Sequence, residues 1–124
     1  ISKDNGKTFV RYSQTPIIDR SDEGLFVRSG QSLLKIDDCY LSVYSAGSKW
    51  KVVGDKSRPV YNIFFQKTKD GINLNKMGKK IIECDYNIEH GLGRPQIIEI
   101  NNRYYIFYTR RMLNMKLSFR LCSF

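Results

Sequence analysis

The segment LLKIDDCYLSVYS, beginning at Leu33, returns as IIEINNRYYIFYT, beginning at Ile97, at a constant offset of 64 residues that sets Tyr40 against Tyr104 and Tyr44 against Tyr108. Similarity at a fixed offset means that one supersecondary unit is written twice. Each copy is an apolar run, two polar residues (Asp37-Asp38 or Asn101-Asn102) and a second run rich in aromatics, which is the pattern of a β-hairpin. A third strand follows in each copy, YNIFFQKT from Tyr61 and LSFRLCSF from Leu117. In the first copy an Asp70-Gly71 turn then leads into a fourth, INLNKMGKKIIE. The pattern predicts strands near 31–36, 39–45, 60–68 and 72–83 in one antiparallel sheet, and near 95–100, 103–109 and 117–123 in the next. GSKWKVVGDKSRP reads as a long loop between the second and third strands.

Four antiparallel strands per unit, with a unit somewhat longer than the usual ~40–50 residues, match a β-propeller blade carrying one long loop. The opening ISKDNGKTF fits this reading, because its Ser-x-Asp-x-Gly-x-Thr turn resembles the Thr-x-Asp-Gly turn of TKDGINL one unit later. The expected fold is all-β, with residues 1–20 ending one blade, 25–88 forming one complete blade and 89–124 starting the next. Two unrelated hairpins in a β-sandwich are the alternative. Propellers protect strand edges by closing a ring, and two units close none. The chain is therefore expected to be part of a longer protein, and the isolated segment to be inactive and to self-associate through open sheet edges.

Composition agrees with strands. The chain has 124 residues, 41% of them hydrophobic, with Tyr 8 and Phe 7. It contains no run near the ~18 apolar residues of a membrane span. Cys39, Cys84 and Cys122 have neither disulfide-framework nor zinc-ligand spacing, so no metal or cofactor is expected and a reducing, cytoplasmic setting is the simpler reading. The net charge of +9 is spread along the chain, and there is no aromatic RNA-binding line. A basic module binding RNA is thus the weaker class, and neither nucleic acid nor membrane is an expected partner.

The succession YSAGSKW, PVYNIFFQKTKDGINL and EHGLGRPQIIEINNRYYIFYTRR resembles the five-bladed propeller clan of glycoside hydrolases that includes families 43, 32, 68 and 130. It is most similar to bacterial members whose blades carry a Tyr-x-Ile-x-x-x-x-Ser-x-Asp-Gly-Ile-x-Trp line and a Glu-His-x-x-x-Arg-Pro line. This chain departs from them with Thr68 for Ser and Leu74 for Trp. The opening turn also resembles the sialidase Asp-box, a structural turn, with Phe9 in place of Trp. The resemblance implies hydrolysis of a glycosidic bond in an oligosaccharide or glycan by paired carboxylates; a non-catalytic propeller that binds sugar or protein is the alternative.

In that clan the innermost strand of each blade lines a funnel, and the loops entering those strands carry the acids. Here those loops are IIDRSDEGLFVRSGQ, with Asp19, Asp22, Glu23 and Arg28, and DYNIEHGLGRPQ, with Glu89, His90 and Arg94. Cleavage needs one protonated and one ionised carboxyl, and the candidates are Glu89, Glu23 and Asp22. Arg94 offers a bidentate fork for a sugar carboxylate, a phosphate or hydroxyls, or simply pairs with Glu89. Arg28, His90, Arg94, Arg110, Arg111 and Trp50 are the candidate substrate contacts, Trp50 as a stacking platform. The expectation is one cleft shared by Arg28, Glu89, His90 and Arg94. GLG before Arg94 is too short to signal a nucleotide.

Overall fold

A computed structural model describes residues 1–74 and 77–123. The chain folds into seven strands, β1 Val27–Ile36, β2 Cys39–Val53, β3 Lys56–Thr68, β4 Lys79–Ile82, β5 Glu89–Ile100, β6 Arg103–Met112 and β7 Leu117–Ser123. There is no helix among the described residues, and hence none long and apolar enough to cross a membrane. β1 to β4 pair antiparallel in sequence order, as do β5 to β7. The two sets are joined by one parallel bridge, Tyr61 to Gly91, which gives the order β1-β2-β3-β5-β6-β7 with β4 beside β3.

Turn chemistry accounts for the hairpins. Asn101 and Asn102 both hold left-handed φ, 51° and 59°, the conformation of a type I′ turn, and Ile100 pairs with Arg103 across it. Asp37, at φ 47°, serves the first hairpin, where Ile36 meets Cys39. The 64-residue repeat extends into the irregularities: β1 is bulged between Ser29 and Ser32, β5 between Gly93 and Gln96, and each bulge contains one left-handed residue, Gly30 or Arg94. These two bulges lie against each other, since a Cβ on Gly30 would sit 3.9 Å from the Arg94 Cα. Ser32 also accepts the Ile97 amide at 3.2 Å.

Alternation places the core between the two sets of strands. Leu41 and Val43 of β2 meet Ile97 of β5 and Ile106 of β6, with Tyr104 and Tyr108 packed at their edge. Ile63, Cys84 and Leu92 form a second cluster. Each such aliphatic side chain contributes about 1.5–3 kcal/mol when fully buried. Tyr44 is wholly buried.

Two expected features differ. The GSKWKVVGDKSRP segment is not a loop, because β2 and β3 continue pairing from Lys49–Val60 out to Val53–Lys56 around Gly54 at φ 64°. A bulge between Ala46 and Lys49 resets the register there, and Gly47 is required at it, since a Cβ would lie 1.8 Å from the Val60 carbonyl oxygen. Trp50 therefore rides on an exposed hairpin arm. The fourth strand, expected over 72–83, is confined to Lys79–Ile82; Asn75 and Lys76 of the expected span lie outside the described residues. The Gly78 amide donates to Glu23 Oε2 at 2.8 Å instead of to β3, so pairing begins one residue later.

The two Asp turns share one hydrogen-bond scheme. Ser2 donates its hydroxyl to Asp4 and accepts the Gly6 amide, and Thr68 does the same for Asp70 and Gly71. Beyond each turn a polar residue, Thr8 or Asn73, donates both its amide and its side chain to the Asp carboxylate. Asn5 is the extra residue of the first turn. The side-chain and backbone donors of Thr8 bring the Asp4 carboxyl down to about 2, and the amides of Asn73 and Ile72 hold Asp70 well below the usual carboxylate range. A carboxyl lowered on folding stabilises above its unfolded value and loses that contribution as pH falls through the folded value. Asp70→Asn is accordingly expected to lower the thermal midpoint at neutral pH, with the gap to the parent narrowing below about pH 3.8. A gap that stays constant with pH would show that the charge does not hold the turn.

Candidate functional site

Where the two bulges meet, β1, β3 and β5 enclose a cavity of about 350 Å³ lined by Ser29 and Gly30, by Pro59 and Tyr61, by Gly93 and Arg94, and by Arg111 from β6. Tyr61 defines it. Its ring lies against the β5 backbone, and a Cβ on Gly91 would come within 2.5 Å of the Tyr61 Cζ, with one on Gly93 3.4 Å from the ring. The two glycines of GLG thus make room for an aromatic ring. The Arg111 guanidinium lies over that ring, 5.9 Å from its centroid. Burial raises the Tyr61 phenol above 10.0, while Arg111 and Arg94 pull it back down.

A second cavity, of about 180 Å³, shares Arg111 with the first and adds Arg58, His90, Met115 and Lys116. His90 Nδ1 lies 3.2 Å from the Pro59 carbonyl, which only accepts, so Nδ1 carries the proton. Its ring meets Tyr61 edge-on at 6.4 Å.

The carboxylates take different positions. Glu89, 3% exposed, accepts the Asp85 amide on Oε1 at 2.8 Å and pairs through Oε2 with Arg110 Nε. Glu23, 9% exposed, accepts the Tyr44 hydroxyl on Oε1 at 2.6 Å, lies 3.3 Å from Arg28 Nε, and accepts Gly78 on Oε2. Burial, followed by the bond to Glu23, pushes the Tyr44 phenol up to about 12. Removing one partner of such a buried pair typically costs about 3–5 kcal/mol. Asp22 lies with Glu23 along a cavity of about 190 Å³ that also contains Asn62, Lys80 and Tyr86. Asp19 shares another cavity with Arg28 and accepts from its Nη1 through the backbone carbonyl at 2.8 Å.

Arg94 and Arg111 therefore meet in one cavity and His90 and Arg111 in its neighbour, while Arg110 turns to Glu89 and Arg28 to Glu23. Of the residues expected to share one cleft, Arg28 and Arg94 line separate cavities that adjoin at Val27 and Ser29, and His90 lines the one that shares Arg111 with the cavity of Arg94. Trp50, 52% exposed, leans on Phe26 at 5.4 Å along the hairpin arm. Tyr61 and Arg58 were not legible as site residues; the GLG spacing was the available signal for Tyr61. Among the described residues no cluster of His, Cys, Asp and Glu is arranged to hold a metal ion.

No protein-family model and no curated protein matches the chain. Among solved structures it is similar to an alpha-L-arabinanase of Cellvibrio cellulosa complexed with arabinohexaose, at 17% identity and a TM-score of 0.60, over 77% of this chain. The chain spans about a third of that protein, 33% of its length. The likeness identifies the fold as β-propeller-like.

The Tyr61–Gly91 contact yields a double-mutant test. Gly91→Ala is expected to cost about 1–3 kcal/mol by overpacking, and Tyr61→Leu in the same chain to recover part of it. Denaturant unfolding measures both. An additive pair would show that the ring does not press on β5.

Proposed function

We propose that this chain is part of a carbohydrate-active propeller of the glycoside hydrolase clan its sequence resembles, in which residues 25–88 form one four-stranded blade of five and residues 1–20 and 89–124 belong to its neighbours. The observation that carries this reading is the cavity at the meeting of β1 and β5, where Tyr61, Arg94 and Arg111 converge in a fold like that of an arabinanase. On this reading β1 and β5 are innermost strands, and the cavity faces a bound oligosaccharide. Hydrogen-bonding side chains around an aromatic ring suit a sugar, which offers hydroxyls at its rim and C–H groups on its faces.

For hydrolysis, Glu89 is the residue assigned to proton transfer, with Glu23 and Asp22 as the further acids of this chain. Glu89 stands at the entrance of β5, and its buried position beside Arg110 fixes its orientation. A second reading, a sugar-binding propeller without turnover, is favoured by the engagement of both oxygens of Glu23 and both oxygens of Glu89 within the protein.

Glu89→Gln in the natural full-length protein separates the two. On the catalytic reading, hydrolysis of arabino-oligosaccharides or aryl glycosides falls by about 10²–10⁴-fold while sugar affinity is kept. Undiminished turnover would remove Glu89 from the chemistry. A parent protein that binds these sugars and cleaves none would establish the second reading.

A further inference from the structure

We infer that the two cavities sharing Arg111 form an anion-recognition subsite for the charged group of an acidic glycan, a carboxylate, sulfate or phosphate carried on a sugar. This rests on the glycan-facing reading of the cavity. Three observations support it.

The first is the absence of countercharge. The cations Arg58, Arg94, Arg111 and Lys116 line the paired cavities beside His90, and among the described residues no Asp or Glu does. Arg28 and Arg110, by contrast, are matched by buried glutamates. Cations gathered without an acid repel one another, and an oxyanion placed among them relieves that repulsion while accepting their hydrogen bonds.

The second observation is an orphaned donor. Arg58 Nε is buried and has no hydrogen-bond partner among the described residues. A buried polar group without a partner costs about 1–3 kcal/mol, more when charged, and Arg58 also lines the smaller cavity.

The third is backbone strain. At the equivalent position of the two bulges the chain uses Gly30 at φ 70° in one copy and Arg94 at φ 51° in the other. Glycine takes that conformation without steric cost, whereas arginine does not. Packing alone would favour glycine at both positions. An arginine held there, exposed and lining the cavity, is accounted for by a guanidinium that the site uses. Arg111 adds a second fork over the Tyr61 ring, and guanidinium forks match planar and tetrahedral oxyanions in bidentate geometry.

Calorimetric titration of the natural full-length protein tests this with four probes: tetragalacturonate, arabinohexaose as the neutral reference, inorganic sulfate and inorganic phosphate. Tetragalacturonate is expected to bind at least about tenfold more tightly than arabinohexaose, and added NaCl to weaken it selectively. Arg94→Asn, which tolerates left-handed φ, and Arg111→Gln are each expected to weaken it by about tenfold, with Arg111→Lys retaining part of the affinity. Sulfate or phosphate binding that depends on Arg111, without oligosaccharide binding, would uphold the anion subsite and overturn the glycan reading. Arabinohexaose binding as tight as tetragalacturonate, or charge-removing variants that bind tetragalacturonate unchanged, would overturn the subsite and leave the glycan reading standing.

Discussion

The close approach of β3 to β5 at Tyr61 and Gly91 governs the arrangement of this molecule. Each antiparallel set pairs its own strands, so the relation between the sets depends on side-chain packing, on the bonds of Ser32 and Ser45 to the β5 backbone, and on that single parallel bridge. A side chain at position 91 would fill the space the Tyr61 ring occupies, and the ring would then have to leave the cavity it now floors. Its placement brings β1 and β5 together at their bulges and creates the concave surface at which Arg94 and Arg111 meet.

Buried ion pairs fix the entrances to the same two strands. Glu23 ties the segment before β1 to Arg28 on β1, to Tyr44 on β2 and to the chain just before β4, and so replaces a continuous fourth strand with a side-chain tether. Glu89 joins the Asp85 turn to Arg110 on β6. Neither pair is a cheap source of stability, because desolvation offsets most of the Coulomb attraction. Their effect is geometric: each removes one arginine from the open surface and leaves Arg111 and Arg94 as the cations of the central cavity.

Much of the architecture was legible in the residues because it follows local rules. Asn101-Asn102 and Asp37-Asp38 specify tight hairpins, and the repeat of LLKIDDCYLSVYS in IIEINNRYYIFYT specifies a second unit with the same alternation. The Trp50 arm reads as a loop because of its Ser, Gly and Lys, while the pairing that holds it extended lies on the opposite strand. The short fourth strand depends on a hydrogen bond across 55 residues, from Gly78 to Glu23, which no local pattern announces. Likewise residue type marks the site candidates, whereas their partition into ion pairs and cavity cations is decided by contacts between strands. Arg110 and Arg111 are adjacent in the chain, yet alternation turns one inward to Glu89 and the other toward Tyr61.

On the proposed reading, two adjacent repeats of a propeller meet with β1 and β5 at the axis and present the Tyr61 cavity to a glycan. A crystal structure of the natural full-length protein grown with tetragalacturonate or arabinohexaose tests it most directly. Repeats arranged radially in a closed ring are expected, with β1 and β5 both innermost and sugar density against Tyr61, Arg94 and Arg111. A closed two-layer sandwich built from β1–β4 and β5–β7, or sugar bound away from that cavity, would contradict it.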